Sequence, residues 1–278
     1  MNRSATRLTP AAVAAGGALT VLALLFLSPS LWLLVAAFDP DATLDFAVPG
    51  SPSLANFREI ASWESLGRPL LNSLGISVLS STITAVCAFL AGYPLSRYRL
   101  RYGRAFLYLI LIGSGLPVIA LMVPIYTVLA NNNLIDSQVV TAVFLATTGL
   151  PFSIWLAKNF IDAVPKSVEE AAVCDGASTW QIMTRIVLPL VRPGLAVIVI
   201  FTFIGNWGNF FVPFLLLLSP EKQTASVSLY NFFTSFGGIF FGQLAAYSLL
   251  YSLPAMILYS IISRTIGRSF AFAGAVKE

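Results

Sequence analysis

The sequence contains no histidine. That removes imidazole acid–base chemistry and histidine-ligated metal sites at the outset. Its two cysteines, Cys87 and Cys174, are too few for a metal cluster or a disulfide framework, and both read as small apolar fillers. Charge is equally scarce: 10% of the 278 residues are Asp, Glu, Lys or Arg, against about 25% in a typical soluble domain. With 57% hydrophobic and 13% aromatic residues, a soluble globule of this length could not cover its surface with polar groups. The chain is therefore read by bilayer rules. No glycine-rich phosphate loop of the form G-x-x-x-x-G-K-[ST] occurs, so no nucleotide is expected on this chain.

What the sequence does have is six charge-free runs, at 9–38, 69–96, 105–135, 137–157, 193–220 and 223–263. A helix rising 1.5 Å per residue needs about 20 apolar residues to cross about 30 Å of hydrocarbon. Spans are expected at 11–38, 70–96, 105–129, 138–158, 194–218 and 244–263. The first half of the last run is rich in Ser, Thr, Asn and Gly, so 219–243 is left outside. Thirteen of the 16 basic residues fall on the N-terminal side of the membrane, and only Arg58, Arg68 and Lys222 on the other. Basic residues favour the cytoplasm. The expected fold class is therefore an all-α membrane protein, one domain of six transmembrane helices over 1–278, with N- and C-termini cytoplasmic. Arg3 and Arg7 before the first run resemble a secretory signal, but signal cores are about 7–15 residues long. This run is roughly twice that, so the helix is read as retained, with Trp32 as an interfacial anchor.

The segment 39–68 is acidic and turn-rich and reads as an extracytoplasmic cap. Arg97, Arg99, Arg101 and Arg104 crowd the first inner turn, which reads as a topology anchor beside anionic lipid, or else as a docking surface. The turn 131–136 is a short polar hairpin outside. The inner segment 159–193 is too long for a tight turn and too amphipathic for a loose linker. Pro165 suits the first position of a helix, which continues to Cys174. Gly176 is placed to end it in the left-handed conformation. Ser178 and Gln181 have capping-box spacing and open a second helix, with Ile182, Met183, Ile186 and Val187 on one face. Pro189 is expected to stop that helix and Pro193 to mark entry to the fifth span. Two short angled helices make a rigid knob that a partner can push.

At this knob the sequence resembles a known family. Glu170-Ala171-Ala172, then Gly176, then Ile186-x-Leu188-Pro189, strengthened by Asp175-Gly176-Ala177, are similar to the EAA loop of binding-protein-dependent ABC import permeases. Asn72-Ser73-Leu74, Tyr93-Pro94-Leu95-Ser96-Arg97-Tyr98, Asn206-Trp207-Gly208-Asn209-Phe210 with Pro213, and Ser219-Pro220-Glu221-Lys222 resemble the maltose-type carbohydrate permeases in particular. The tail Gly274-Ala275-Val276-Lys277 also fits. The resemblance implies a type I ABC importer permease fold, serving as half of a pore in a bacterial or archaeal plasma membrane. Its implied partners are a homologous second permease, two ATPase subunits that carry ATP and Mg, an extracytoplasmic solute-binding protein, the lipid bilayer and a sugar, with no nucleic acid. The chain itself would be no enzyme and would hold no cofactor or metal. Glu169, Glu170, Ala171, Ala172, Asp175, Gly176, Ala177, Ile186, Leu188 and Pro189 would form the coupling element in 159–193. The loop 219–243 would reach into the binding protein, and the tail within 264–278 would lie along the ATPase pair. The family's usual acidic residue in Trp-Asn-Glu-Phe is absent, and Gly208-Asn209 stand in its place.

Sugars are neutral and hydroxyl-rich, so their path calls for amides, hydroxyls and aromatic faces. Asn206, Trp207, Asn209 and Phe210 offer this chemistry, and Asn72, Ser73 and Ser77 could join them. The competing role for such groups is bonding between neighbouring helices. Glu170 would set the register of docking, with Val173, Ile182 and Met183 supplying its apolar contacts. A membrane enzyme would need clustered carboxylates or metal ligands, and the inner acidic cluster is already absorbed by the knob. A proton- or sodium-driven carrier would need ionisable groups at mid-membrane, and these spans are uncharged. A peptide or polyamine permease is the nearer alternative; the absence of acidic residues from the spans favours a neutral solute.

Overall fold

The computed structural model describes residues 10–115, 117–232 and 239–275, and every regular element among them is helical. In chain order the first are α1 (Pro10–Ala37), α2 (Ala55–Ile60), a π turn (Trp63–Gly67), α3 (Arg68–Arg97), α4 (Gly103–Gly113), α5 (Val118–Asn131) and α6 (Gln138–Asp162). Then come α7 (Lys166–Cys174), α8 (Thr179–Gln181), a π segment (Ile182–Val187) and α9 (Leu188–Trp207). The chain ends with α10 (Phe211–Leu216), a 3-10 turn (Pro220–Lys222), α11 (Ala225–Asn231) and α12 (Phe241–Ala275).

Among the described residues, five stretches are long and apolar enough to cross a membrane: Ala15–Ala37, Trp63–Arg97, Gln138–Asp162, Thr179–Trp207 and Phe241–Ser260. The span expected at 105–129 is not one helix. It is α4 and α5, bent 93° from one another, and counting the pair as one broken span makes six. Pro117 lacks the N–H that would continue α4 and serves instead as the extended residue before α5. The Ser114 hydroxyl turns back to Leu111 O at 2.7 Å.

The fifth span departs from the expected 194–218 at both ends. It begins in the cytoplasmic segment and stops at Trp207, with α10 as a separate short helix beyond. Likewise α12 starts at Phe241 and runs through 264–275, so Gly274 and Ala275 lie on a helix. Val276 and Lys277 lie outside the described residues, as do Arg3 and Arg7.

The chain divides into two compact units. In the first, which includes residues up to Ser62 together with Leu229–Ser252, buried Asn56 closes the end of α1. Its Nδ2 donates to Ala37 O at 3.2 Å and to Asp39 O at 2.8 Å. The first is a carbonyl that the helix terminus leaves without an intrahelical partner, and the second belongs to the turn just beyond it. Trp32 packs edge-on against Phe241, with centroids 6.3 Å apart.

In the second unit, which includes Trp63–Ser228, α3, α6 and α9 pack together and carry the core. Small polar residues line their seam: Ser80, Ser81, Thr84 and Thr141 are buried, and Thr84 Oγ1 donates to Ser80 O of its own helix and to Ala146 O of α6. Short side chains of this kind let backbones approach closely in a membrane bundle. Gly194 is the tightest case, since a Cβ there would stand 2.2 Å from the Phe160 ring. Neither cysteine serves as a core filler. Cys87, on α3, and Cys174, at the end of α7, are both free and exposed, each on a helix face that no neighbour covers among the described residues.

Candidate coupling site and solute path

Helix α7 opens one residue later than the sequence suggests, with Pro165 as its cap and Lys166 as its first residue. Its end follows the expected chemistry closely. Gly176 sits at φ +80°, its N–H donates to Val173 O at 3.0 Å, and Ala177 N–H donates to Ala172 O at 2.9 Å. This is the paired-bond stop that a left-handed glycine makes possible. Two residues later Ser178 Oγ accepts from Gln181 N at 3.3 Å, and Gln181 Oε1 accepts from Ser178 N at 2.8 Å. That reciprocal box starts the next helix.

The next helix does not stop at Pro189. Residues Ile182–Val187 are wound as a π segment, and Leu188 N–H donates to Met183 O, five residues back. This places Pro189 in the first turn of α9, where a missing N–H breaks no bond. The knob's second helix and the fifth span are therefore one continuous rod over Thr179–Trp207, with Pro193 inside it.

Two neighbouring glutamates divide the labour of α7. Glu170 is exposed, together with Ala171 and Asp175. Glu169 is buried: its Oε1 accepts from Arg97 Nε at 2.6 Å and its Oε2 accepts from the Tyr93 hydroxyl at 2.9 Å. Arg97 also donates through Nη2 to Ile161 O at 2.9 Å and Val164 O at 3.0 Å, at the end of α6. The reading of Arg97 as a lipid anchor is thus corrected. Its side chain is 8% exposed, and it ties α3, α6 and α7 together. Arg99, Arg101 and Arg104 remain exposed. The sequence signal for this tie was the i, i+4 spacing of Tyr93 and Arg97, which puts both donors on one helix face.

Ile182 and Met183 are also corrected. They are buried with Phe89, Tyr93, Ile161 and Val187 in the core beneath the knob, because the π segment turns them inward. The apolar side chains left on the knob's outer surface are Val168, Val173 and Trp180. An open cleft of about 290 Å³ lies between Gly176-Ala177 and Arg185-Ile186. Ala172 is buried, while Ala177, Ile186, Leu188 and Pro189 are half-buried.

The expected path residues separate into two groups. Asn206 Nδ2 donates to Ser80 Oγ on α3 at 2.7 Å. One turn from Ser80, Ser77 Oγ is buried with no hydrogen-bond partner among the described residues. Trp207 is buried and stacks on Phe203 at 5.7 Å, and Phe210 stacks on Phe214 at 5.0 Å. The other amides hold the fold. Asn209 Oδ1 accepts from Val212 N at the start of α10, and Asn72 Nδ2 donates to Glu221 O and Gln223 O. Ser73 Oγ accepts from Ala225 N at 2.8 Å. Asn72 and Ser73 thus bond to the outer segment 221–225, and Asn209 caps α10.

The outer turn at 131–136 also does more than close a hairpin. Asp136, at φ +62°, accepts from Lys222 Nζ at 2.7 Å, Ser219 Oγ at 2.6 Å and Ser219 N at 3.0 Å. The Lys222 ammonium, followed by the Ser219 donors, holds its carboxyl well below the usual carboxylate range.

Residues 84–268 match the family described as binding-protein-dependent transport system inner membrane component. A putative ABC transporter permease protein of Streptomyces antibioticus is 32% identical over 231 residues, covering 83% of this chain and 100% of that protein. The maltodextrin transport system permease protein MdxG of Bacillus subtilis is 32% identical over 257 residues, covering 88% of this chain and 89% of its own. In three dimensions the chain is similar to a bacterial ABC transporter involved in the import of the acidic polysaccharide alginate. The TM-score is 0.79 at 20% identity, over 91% of this chain and 95% of that one. The all-α fold is that of the type I ABC importer permeases, as expected. The chain thus belongs to the binding-protein-dependent transport system inner membrane components, as a multi-pass permease subunit and not an enzyme.

Proposed function

We propose that this chain forms half of the translocation path of an ATP-driven importer for a neutral sugar. In this reading it pairs with a homologous permease, receives solute from an extracytoplasmic binding protein and docks by α7 on two ATPase subunits that carry ATP and Mg. The observation that carries it is the division between Glu169 and Glu170. One carboxylate is spent inside the chain on Arg97, and the other is free for a partner. Closure of the ATPase pair pushes the knob, and Arg97 passes that push to the inner ends of α3 and α6. The rod from Thr179 to Trp207 carries it to Asn206 at the seam with α3.

A sugar is supported by the charge-free runs and by the Asn206, Ser80, Ser77 and Trp207 group, which supplies amide, hydroxyl and aromatic side chains, Ser77, Ser80 and Trp207 being buried in this conformation. The maltodextrin permease relative points the same way. Of the remaining segments, 219–243 would meet the binding protein and the tail around Gly274, Ala275, Val276 and Lys277 the ATPase pair.

Reconstitution in proteoliposomes tests this reading. With the ATPase pair, partner permease and binding protein present, Glu170→Ala should leave ATP hydrolysis but abolish uptake, or prevent assembly. Full uptake by that variant would refute the coupling role. A thermal-shift screen of the binding protein against neutral oligosaccharides, peptides and polyamines tests the solute class, and stabilisation by a peptide or polyamine alone would overturn the sugar assignment.

A further inference from the structure

On α4, Arg104, Leu107, Tyr108 and Leu111 fall at i, i+3, i+4 and i+7, and on α6, Trp155, Lys158 and Asn159 fall at i, i+3 and i+4. Such spacings put each set on one helix face. The two faces meet over two adjoining cavities, of about 260 and 180 Å³, that share Arg104, Leu107 and Lys158. Arg99 lines the larger cavity, and Trp155 and Leu111 line the smaller.

The charges here are available. Arg97 is committed to Glu169, and Arg101 lies over the Tyr102 ring at 5.4 Å and lines neither cavity. Among the described residues Arg99 and Arg104 have no ion pair. Lys158 pairs with Asp162 at 2.5 Å, so two net positive charges face the cavities. Their depth is set by the sequence. Arg104 is the last charge before the run 105–135, and Lys158 is the first after the run 137–157, so both stand at the inner membrane surface. From there each stripe becomes apolar toward mid-membrane, through buried Leu107 to Leu111 on α4 and to Trp155 on α6.

We propose that this junction binds an anionic phospholipid, its phosphate on Arg99, Arg104 and Lys158 and an acyl chain along Leu107, Leu111 and Trp155. Basic pockets between membrane helices on the cytoplasmic side suit such headgroups, and Trp favours that interface. A free phosphate would use the cations and leave the apolar half without a partner, so the lipid accounts for both halves.

The test titrates the purified full-length chain with dioleoylphosphatidylglycerol, dioleoylphosphatidylcholine and inorganic phosphate, counting bound molecules by native mass spectrometry. Phosphatidylglycerol should be retained and the other two lost. Arg104→Gln with Lys158→Gln should weaken its binding roughly thirty-fold, while Arg101→Gln should change it by less than about two-fold. If the glutamine pair does not fold, Leu111→Asp takes its place: it should weaken binding, while Arg104→Lys with Lys158→Arg should keep it. Equal losses in Arg101→Gln and the paired variant would reduce the site to diffuse surface attraction and overturn it. Phosphate binding as tightly as the lipid, or loss of the lipid when a second permease assembles on this face, would also overturn it.

Discussion

Arg97 and Glu169 stand 72 positions apart in sequence and meet at 2.6 Å in a buried ion pair. Removing one member of such a pair leaves an uncompensated buried charge, which costs about 3–5 kcal/mol. Arg97→Met should therefore lower stability by about that amount, read from chemical unfolding. Converting both residues to Met should recover most of the loss and still fail to restore uptake. Recovery of uptake in the double variant would show that the tie is only structural.

Glu170 makes the opposite case. Its side chain is exposed, so Glu170→Gln should keep stability within about 0.5 kcal/mol, as for most surface changes. Uptake in the assembled importer should nevertheless fall, and parallel melting and transport assays separate the two effects.

At Gly176 a Cβ would meet no atom within 4 Å, so the cost of substitution is purely one of backbone conformation. Gly176→Ala at φ +80° should cost about 1–2 kcal/mol. Gly176→Asn should cost less, since Asn tolerates that region better. Equal losses for Ala and Asn would contradict this account.

Gly194 fails for a different reason. Its Cβ would overlap the Phe160 ring, so Gly194→Ala should destabilise by about 1–3 kcal/mol through overpacking. Trimming the ring with Phe160→Leu in the same chain should relieve part of that loss.

Asp136 supplies a pH signature. Its carboxyl is held below the ordinary value of 3.8 by Lys222 and Ser219, so its stabilising effect is complete above that value and is lost as pH falls beneath it. The melting temperature should be insensitive to this group from neutral pH down to about 5 and should drop in stronger acid. Asp136→Asn should lower stability near neutrality and flatten the acid limb that this residue contributes.

Much of this was legible because a bilayer leaves a one-dimensional record: charge stops where hydrocarbon starts. Local chemistry was legible too, as with Gly176 ending α7 and Ser178 with Gln181 opening the next helix. The partners of long polar side chains were not. An arginine after an apolar run is satisfied equally by lipid phosphate or by a carboxylate far along the chain, and only folding decides that Arg97 takes the second. An amide serving solute and an amide closing a turn likewise look the same in sequence. Asn72 is committed by Glu221 O, 149 positions away. Winding was hidden as well, since the extra residue of a π segment carries no compositional mark, and Pro189 looked like a terminator for that reason.

That extra residue has a mechanical meaning. Each residue of an α-helix advances the azimuth by about 100°. A deletion within Ile182–Val187 would be absorbed, since the widened turn gives up its surplus and returns to ordinary winding with everything beyond it nearly in phase. A deletion in the α-helical stretch 194–205 would instead swing the Asn206 amide by that angle away from the Ser80 hydroxyl. The surplus residue is thus slack held in one turn, which lets the cytoplasmic segment bury Ile182 and Met183 while the membrane amide beyond it keeps its facing to Ser80.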